Sequence, residues 1–169
     1  MRKILIVVDM QNDFITGALG SDEARAIVPN VVEKVMNYKI EDIYFTQDTH
    51  NEDYMNTLEG KYLPVPHCIK YEEGWDIIPA LKPYAELVVL KETFGYEYWG
   101  YYYFGEEVEF ELCGVCTDIC VISNALVLRM LYPDAKITVD ASCCAGVTPE
   151  KHKAALEVMK SCQIDVIGE

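Results

Sequence analysis

The run Ile4-Leu5-Ile6-Val7-Val8 is apolar without interruption, largely β-branched, and ends abruptly at Asp9. A strand with one wet face alternates polar and apolar residues, so an unbroken run of this length describes a strand covered on both faces, as in a parallel sheet. Leu87-Val88-Val89-Leu90 and Lys136-Ile137-Thr138-Val139 read the same way. Ile43-Tyr44-Phe45-Thr46, Val108-Glu109-Phe110-Glu111-Leu112 and Ile164-Asp165-Val166-Ile167 are weaker candidates. Helical patterns lie between them. Residues 24–38 carry Ile27, Val28, Val31, Val32 and Val35 on one side, 118–131 form a second helix, and 149–161 a third with Thr148 as cap and Pro149 in its first turn. Strands alternating with helices predict an α/β three-layer sandwich: a six-stranded parallel sheet with helices on both faces.

At 169 residues and 51% hydrophobic composition, the chain fills one core, and a single domain over 1–169 is expected. The 28 Asp+Glu against 14 Lys+Arg give a net charge of −14. Such a surface repels phosphate backbones and anionic headgroups, which argues against nucleic-acid and membrane partners. The apolar run after Met1-Arg2-Lys3 is too short for a signal-peptide core or a membrane span, so a cytoplasmic protein is expected. Seven cysteines, an odd number without the spacing of a disulfide framework, read as reduced thiols.

In an open parallel sheet, ligands sit beyond the carboxyl ends of the strands. There the sequence places Asp9, then Asp48 and His50, then Lys91, then the segment Cys113-Gly114-Val115-Cys116-Thr117-Asp118-Ile119-Cys120. With Thr117 as helix cap, Cys120 falls in the first turn, where the helix dipole favours a thiolate and free N–H groups can hold an oxyanion. Asp9 and Lys91 would be its proton acceptor and stabilising cation. The plainer alternative is a packed thiol beside a strand-end ion pair. Residues 47–75 follow neither period and read as a functional loop. Asp48 and His50, two apart, point the same way in an extended segment, and His67 closes a metal site, with Glu59 as a possible outer ligand. A turn held by side-chain hydrogen bonds is the alternative for this pair. His152, the third of three histidines, reads as solvent-facing. Gln11 and Asp13 read as fixing the loop that presents Asp9, and Cys143 and Cys144 as packed thiols just past a strand end. Cys113 and Cys116 also spell Cys-x-x-Cys, but a thiol-disulfide exchanger would leave Lys91, Asp9 and the histidines without a task. A metal-binding protein without activity would retain the same residues, and an assay of hydrolysis separates the two.

Val8-Asp9-Met10-Gln11-Asn12-Asp13-Phe14, Thr46-Gln47-Asp48-Thr49-His50, Pro64-Val65-Pro66-His67-Cys68, Lys91-Glu92-Thr93-Phe94 and Gly114-Val115-Cys116-Thr117-Asp118-Ile119-Cys120-Val121 together resemble the isochorismatase-like cysteine hydrolases, and among them the nicotinamidases. The resemblance runs in order across nearly the whole chain. It implies strand order 3-2-1-4-5-6 and a catalytic set in which Cys120 attacks an amide carbonyl, Asp9 handles the proton and Lys91 stabilises the thiolate. It implies a cis peptide between Val115 and Cys116, which directs the N–H groups of Cys116 and Cys120 at the oxyanion. Asp48, His50 and His67 fall on the metal ligands, for one divalent ion: zinc first, manganese or iron as alternatives. Phe14 resembles an aromatic wall beside the substrate, with Val115 and Cys116 also in contact with it. The implied reaction turns nicotinamide into nicotinate and ammonia through a cysteine thioester, a step of NAD salvage, in a homo-oligomer.

The alternative is a related hydrolase acting on another small amide, carbamoyl or ureido compound. Isochorismate-cleaving relatives lack the Asp-x-His and later His set, so Asp48, His50 and His67 speak against that substrate. Cys116 stands where Ala is usual. The large aromatic often found shortly before the last metal histidine is missing, which leaves Tyr62 or Trp99 as the second ring wall. Tyr96-Glu97-Tyr98-Trp99-Gly100-Tyr101-Tyr102-Tyr103-Phe104 is unusually aromatic and reads as core or subunit packing, or else as a substrate lid.

Overall fold

A computed structural model describes residues 2–169. Six parallel strands, β1 (Arg2–Val8), β2 (Ile43–Asp48), β3 (Leu87–Lys91), β4 (Val108–Val115), β5 (Lys136–Ala145) and β6 (Asp165–Ile167), form one sheet in the order β3-β2-β1-β4-β5-β6. The unbroken apolar run makes β1 the central strand, and Ile4 through Val8 are fully buried. The helices are α1 (Asn12–Ile15), α2 (Asp22–Val35), α3 (Leu58–Tyr62), α4 (Ile122–Leu131) and α5 (Pro149–Ser161).

Neighbouring residues of β4 show how the layers divide, because successive side chains of a strand point to opposite faces. Glu111 meets Lys34 of α2, whereas Phe110 packs on Tyr132 at the end of α4, with ring centroids 5.0 Å apart. Helix α5 packs with α4. Ser21 caps α2 by accepting the N–H of Ala24, and Thr148 caps α5 through the N–H of Lys151, with Pro149 at its start.

Several boundaries differ from expectation: α2 spans 22–35 rather than 24–38, and β2 runs on to Asp48. β4 runs on to Val115, and β5 reaches Ala145 after its register against β4 shifts between Leu112 and Gly114. Cys143 and Cys144 are therefore inside β5 rather than beyond it. The helix expected from 118 begins at Ile122, because residues Thr117–Val121 form a wider turn in which Val121 N–H bonds back to the Cys116 carbonyl.

The tyrosine-rich segment is held from inside. Trp99 is fully buried with Tyr44, Tyr96, Tyr102 and Phe104 around it, while Tyr101 and Tyr103 face solvent. Among the described residues no helix is long and apolar enough to cross a membrane.

Candidate active site

The carboxyl ends of the strands gather the chemistry. Asp9 follows β1 in a left-handed backbone conformation, φ 49°, which a short polar side chain tolerates and which turns the carboxylate under the neighbouring strand end. Thr46 of β2 donates its hydroxyl to Asp9 Oδ1 at 2.6 Å. Two register pairs farther along, Asp48 of β2 lies beside Lys91 of β3. Lys91 Nζ stands 2.7 Å from Asp9 Oδ2, 3.2 Å from Asp48 Oδ1, and 3.5 Å from Cys120 Sγ. All four residues are buried.

Cys120 reaches this group because β4 lies unusually close to β1. A Cβ on Gly114, whose φ is 117°, would come within 2.1 Å of the Val8 carbonyl oxygen, so only glycine fits. The Val115–Cys116 peptide that follows is cis, and the wide turn from Thr117 then presents the thiol.

The α-helix starts only at Ile122, and Cys120 sits in a closed space already shared by two carboxylates. Burial pushes its thiol up and Asp9 pushes it further, with Lys91 opposing. Burial and the nearby Asp48 also raise Asp9, against the pull of Lys91. Burial disfavours the Lys91 ammonium, but Asp9, Cys120 and Asp48 outweigh it and keep the amine charged. Asp9 thus has unusual proton affinity for a carboxylate and touches the cation that would stabilise a thiolate.

The loop after β2 brings Asp48, His50, Glu59 and His67 together, with one ligand atom from each lying within 4.8 Å of the others. Asp48 Oδ2 is 2.9 Å from His50 Nε2 and 3.6 Å from His67 Nε2, and Glu59 Oε1 is 3.7 Å from both imidazoles. His67 Nδ1–H donates to the Val65 carbonyl at 2.8 Å, leaving Nε2 to face the cluster. Burial disfavours a charged His67, yet Asp48 and Glu59 overcome it and raise its pKa. The space therefore calls for positive charge. Two carboxylates and two imidazoles around it suit a divalent ion such as zinc, and the residues fit that role.

Asp48 joins the two halves of the site. Its Oδ1 faces Lys91 and its Oδ2 faces the histidines, and burial of the carboxyl is outweighed by Lys91, His50 and His67, which hold it well below the usual range.

Gln11 and Asp13 act elsewhere than expected. Gln11 clamps the backbone of Asp48, accepting its N–H at 2.7 Å and donating to its carbonyl at 2.9 Å. Asp13 accepts the N–H of Cys68, next to His67, at 2.7 Å. Both support the metal-ligand loop rather than Asp9. The spacing Asp9-x-Gln11-x-Asp13 was the available signal, but their partners lie far off in sequence. His152 is half-buried, with part of its surface open to solvent. Its Nδ1 lies 2.7 Å from Thr117 Oγ1, so Thr117 is bonded to α5 and does not cap α4.

Phe14 packs edge-on against His67 at 5.5 Å. Tyr54, which sequence reasoning missed, packs against both His50 and His67, at 4.8 and 5.0 Å. Neither candidate for a second wall suits the part: Trp99 is sealed in the aromatic cluster, and Tyr62 is 84% exposed. Val115 is buried and Cys116 half-buried, with burial pushing the Cys116 thiol up to about 12. All seven cysteines are free thiols, as expected.

This geometry has counterparts. The chain is 27% identical to the nicotinamidase/pyrazinamidase of Mycobacterium tuberculosis, covering 98% of each protein. The crystal structure of the Pyrococcus horikoshii pyrazinamidase in complex with zinc is 30% identical and superposes with a TM-score of 0.84 over 100% of both chains. The Bacillus subtilis nicotinamidase structure is 27% identical, with a TM-score of 0.80 over 99% of each. The isochorismatase domain model matches residues 3–100 and 106–168, and the chain belongs to that family.

Proposed function

We propose that the protein hydrolyses nicotinamide to nicotinate and ammonia, with Cys120 as nucleophile, Asp9 as acid-base group and Lys91 as stabilising cation. The observation that carries this reading is Asp48, one carboxylate touching both the ammonium beside Cys120 and the imidazoles of the ligand cluster. A substrate spanning the two halves needs a ring nitrogen at one end and a carboxamide at the other, which nicotinamide has. A divalent ion held by Asp48, His50 and His67, with Glu59 beside them, supplies a Lewis-acid contact for that ring nitrogen.

In the first half-reaction Asp9 takes the Cys120 proton as sulfur bonds to the carboxamide carbon, and Lys91 offsets the negative charge that forms nearby. The backbone N–H groups of Cys116 and Cys120 hold the oxyanion. The C–N bond breaks, Asp9 returns the proton to the leaving nitrogen, and ammonia departs from a thioester. Water then attacks the thioester, giving its proton to Asp9, and the C–S bond breaks to release nicotinate and restore the thiol. Phe14, Val115 and Cys116 contact the substrate.

Zinc is the first choice of ion because a related pyrazinamidase was crystallised with it, and manganese or iron suit the same donors. The reading extends to a single catalytic domain over 1–169, a cytoplasmic place in NAD salvage in keeping with seven free thiols, assembly of copies through exposed aromatics such as Tyr101, and no role for nucleic acid or membrane.

The test is ammonia release from nicotinamide by purified protein, with zinc added and again after chelation, beside Cys120→Ala. Metal-dependent release that disappears in the variant is the expected result. Fast alkylation of Cys120 without ammonia release would replace nicotinamide by another small amide, carbamoyl or ureido compound.

A further inference from the structure

Asn124 is fully buried in α4, one helical turn after Cys120, and its amide is fully committed. Oδ1 accepts the backbone N–H of Tyr96 at 3.0 Å and the indole N–H of Trp99 at 2.9 Å. Nδ2 donates to the Cys120 carbonyl at 2.8 Å and to the Phe94 carbonyl at 3.3 Å. A primary amide has two acceptor and two donor sites, and here all are used, which fixes its orientation. Three of the four partners belong to the segment just after β3, and the fourth is the backbone of Cys120.

The same segment begins at Lys91. Its Nζ donates to the Thr93 carbonyl at 3.2 Å, one residue before Phe94. Farther along, the Tyr132 hydroxyl donates to the carbonyls of Trp99 and Tyr102, both at 3.1 Å. The segment also lies against α4, since a Cβ on Gly95 would stand 3.3 Å from the Ser123 carbonyl oxygen. The segment after β3 is therefore bonded near its start, at Thr93, to the Lys91 ammonium and, through the Asn124 side chain, to the Cys120 carbonyl.

We infer that Asn124 is a positioning residue: with Trp99 it ties the 93–102 segment to the Cys120 backbone and so fixes where the thiol stands relative to Lys91. The 3.5 Å between Nζ and Sγ joins groups on two strand ends that are not neighbours in the sheet, so something outside the sheet has to set it. Asn124 is the side chain that bonds to both sides. On this view the buried part of the tyrosine-rich segment is a brace. Trp99 is needed for its N–H as well as its bulk, because the indole donates to Asn124 Oδ1 from within the cluster.

The inference rests on Cys120 being the nucleophile, and the experiment keeps the two apart. Zinc-loaded wild type, Asn124→Leu and Trp99→Phe are compared for kcat and KM on nicotinamide, for the pH profile of Cys120 alkylation by iodoacetamide scored on its own peptide, and for Tm. Asn124→Leu is expected to lower kcat about 10- to 100-fold with KM little changed, and to displace the alkylation profile. Trp99→Phe, which keeps a ring and deletes one donor, shifts both in the same direction by a smaller factor. Variants that lose Tm but keep wild-type kcat and alkylation overturn the inference. Should Asn124→Leu fail to fold, Trp99→Phe decides by the same criteria. A wild type inert on nicotinamide whose Cys120 profile still moves in the variants would refute the substrate and retain the brace, whereas unchanged turnover in Cys120→Ala refutes the nucleophile and the brace with it.

Discussion

Two clusters of lysines and carboxylates sit on the same sheet, one partly open to solvent and one sealed, and they differ in how their charges balance. On the α2 side, Glu111 of β4 is met by Lys3 at 2.5 Å, by Lys34 and by the Tyr38 hydroxyl at 2.6 Å, and Lys34 also reaches Asp140 at 2.7 Å. Two amines serve two carboxylates. Burial acts against ionisation of both acids, but the hydrogen bonds from Lys3 and Lys34 to Glu111, and from Lys34 and Ser142 to Asp140, lower their pKa values. At the strand ends, the Lys91 ammonium is shared by Asp9, Asp48 and Cys120, and burial leaves Asp9 and Cys120 with raised pKa values. A cluster with enough cations is a structural tie, whereas one short of cations keeps a carboxylate that can accept a proton.

That contrast can be broken at several points. Lys91→Met removes the ammonium next to Cys120 and should lower nicotinamide turnover roughly 10²- to 10⁴-fold, measured as initial rates with zinc saturating. Gln11→Leu releases the backbone of Asp48 and should weaken zinc binding about 10- to 100-fold in a chelator competition, with the fold retained by circular dichroism. Glu111→Gln should leave kcat unchanged while destabilising the fold by about 2 kcal/mol in urea unfolding, since it leaves the half-buried Lys34 without its closest partner. Stability should follow pH accordingly. The pKa values of Glu111 and Asp140 are lowered in the folded state, so their contribution is complete above the ordinary range of 3.8–4.5 and is lost as pH falls through that range toward the lowered values. In Glu111→Gln the decline of Tm below that range should be shallower.

Which residues could be read from sequence follows from how far each effect reaches along the chain. The apolar runs located the strands, although burial on both faces holds for β1 and not for the edge strand β3, where Val88 and Leu90 are 37% and 44% exposed, and Asp9, Asp48 and Lys91 were found from the rule about strand ends. The 3-2-1-4-5-6 order came from resemblance, since periodicity carries no information about which strands pair. Gln11, Asp13 and Asn124 went unassigned or misassigned because their meaning lies in hydrogen bonds to residues 37, 55 and up to 30 positions away. Trp99 was misread as a pocket wall for the same reason: an aromatic cluster and a ring-binding site have the same composition. The helix dipole expected at Cys120 is a local inference, while the burial and the Asp9 carboxylate that oppose it are properties of the assembled site.

The most direct measurement pairs Asp9→Asn with Glu111→Gln and records ammonia release and Tm on the same preparations. With Asp9 as the proton acceptor in a cation-poor cluster, Asp9→Asn should cut release by roughly 10²-fold or more while Tm stays level or rises, the reverse of Glu111→Gln. Loss of Tm in Asp9→Asn with release preserved would contradict the assignment and make Asp9 another structural carboxylate.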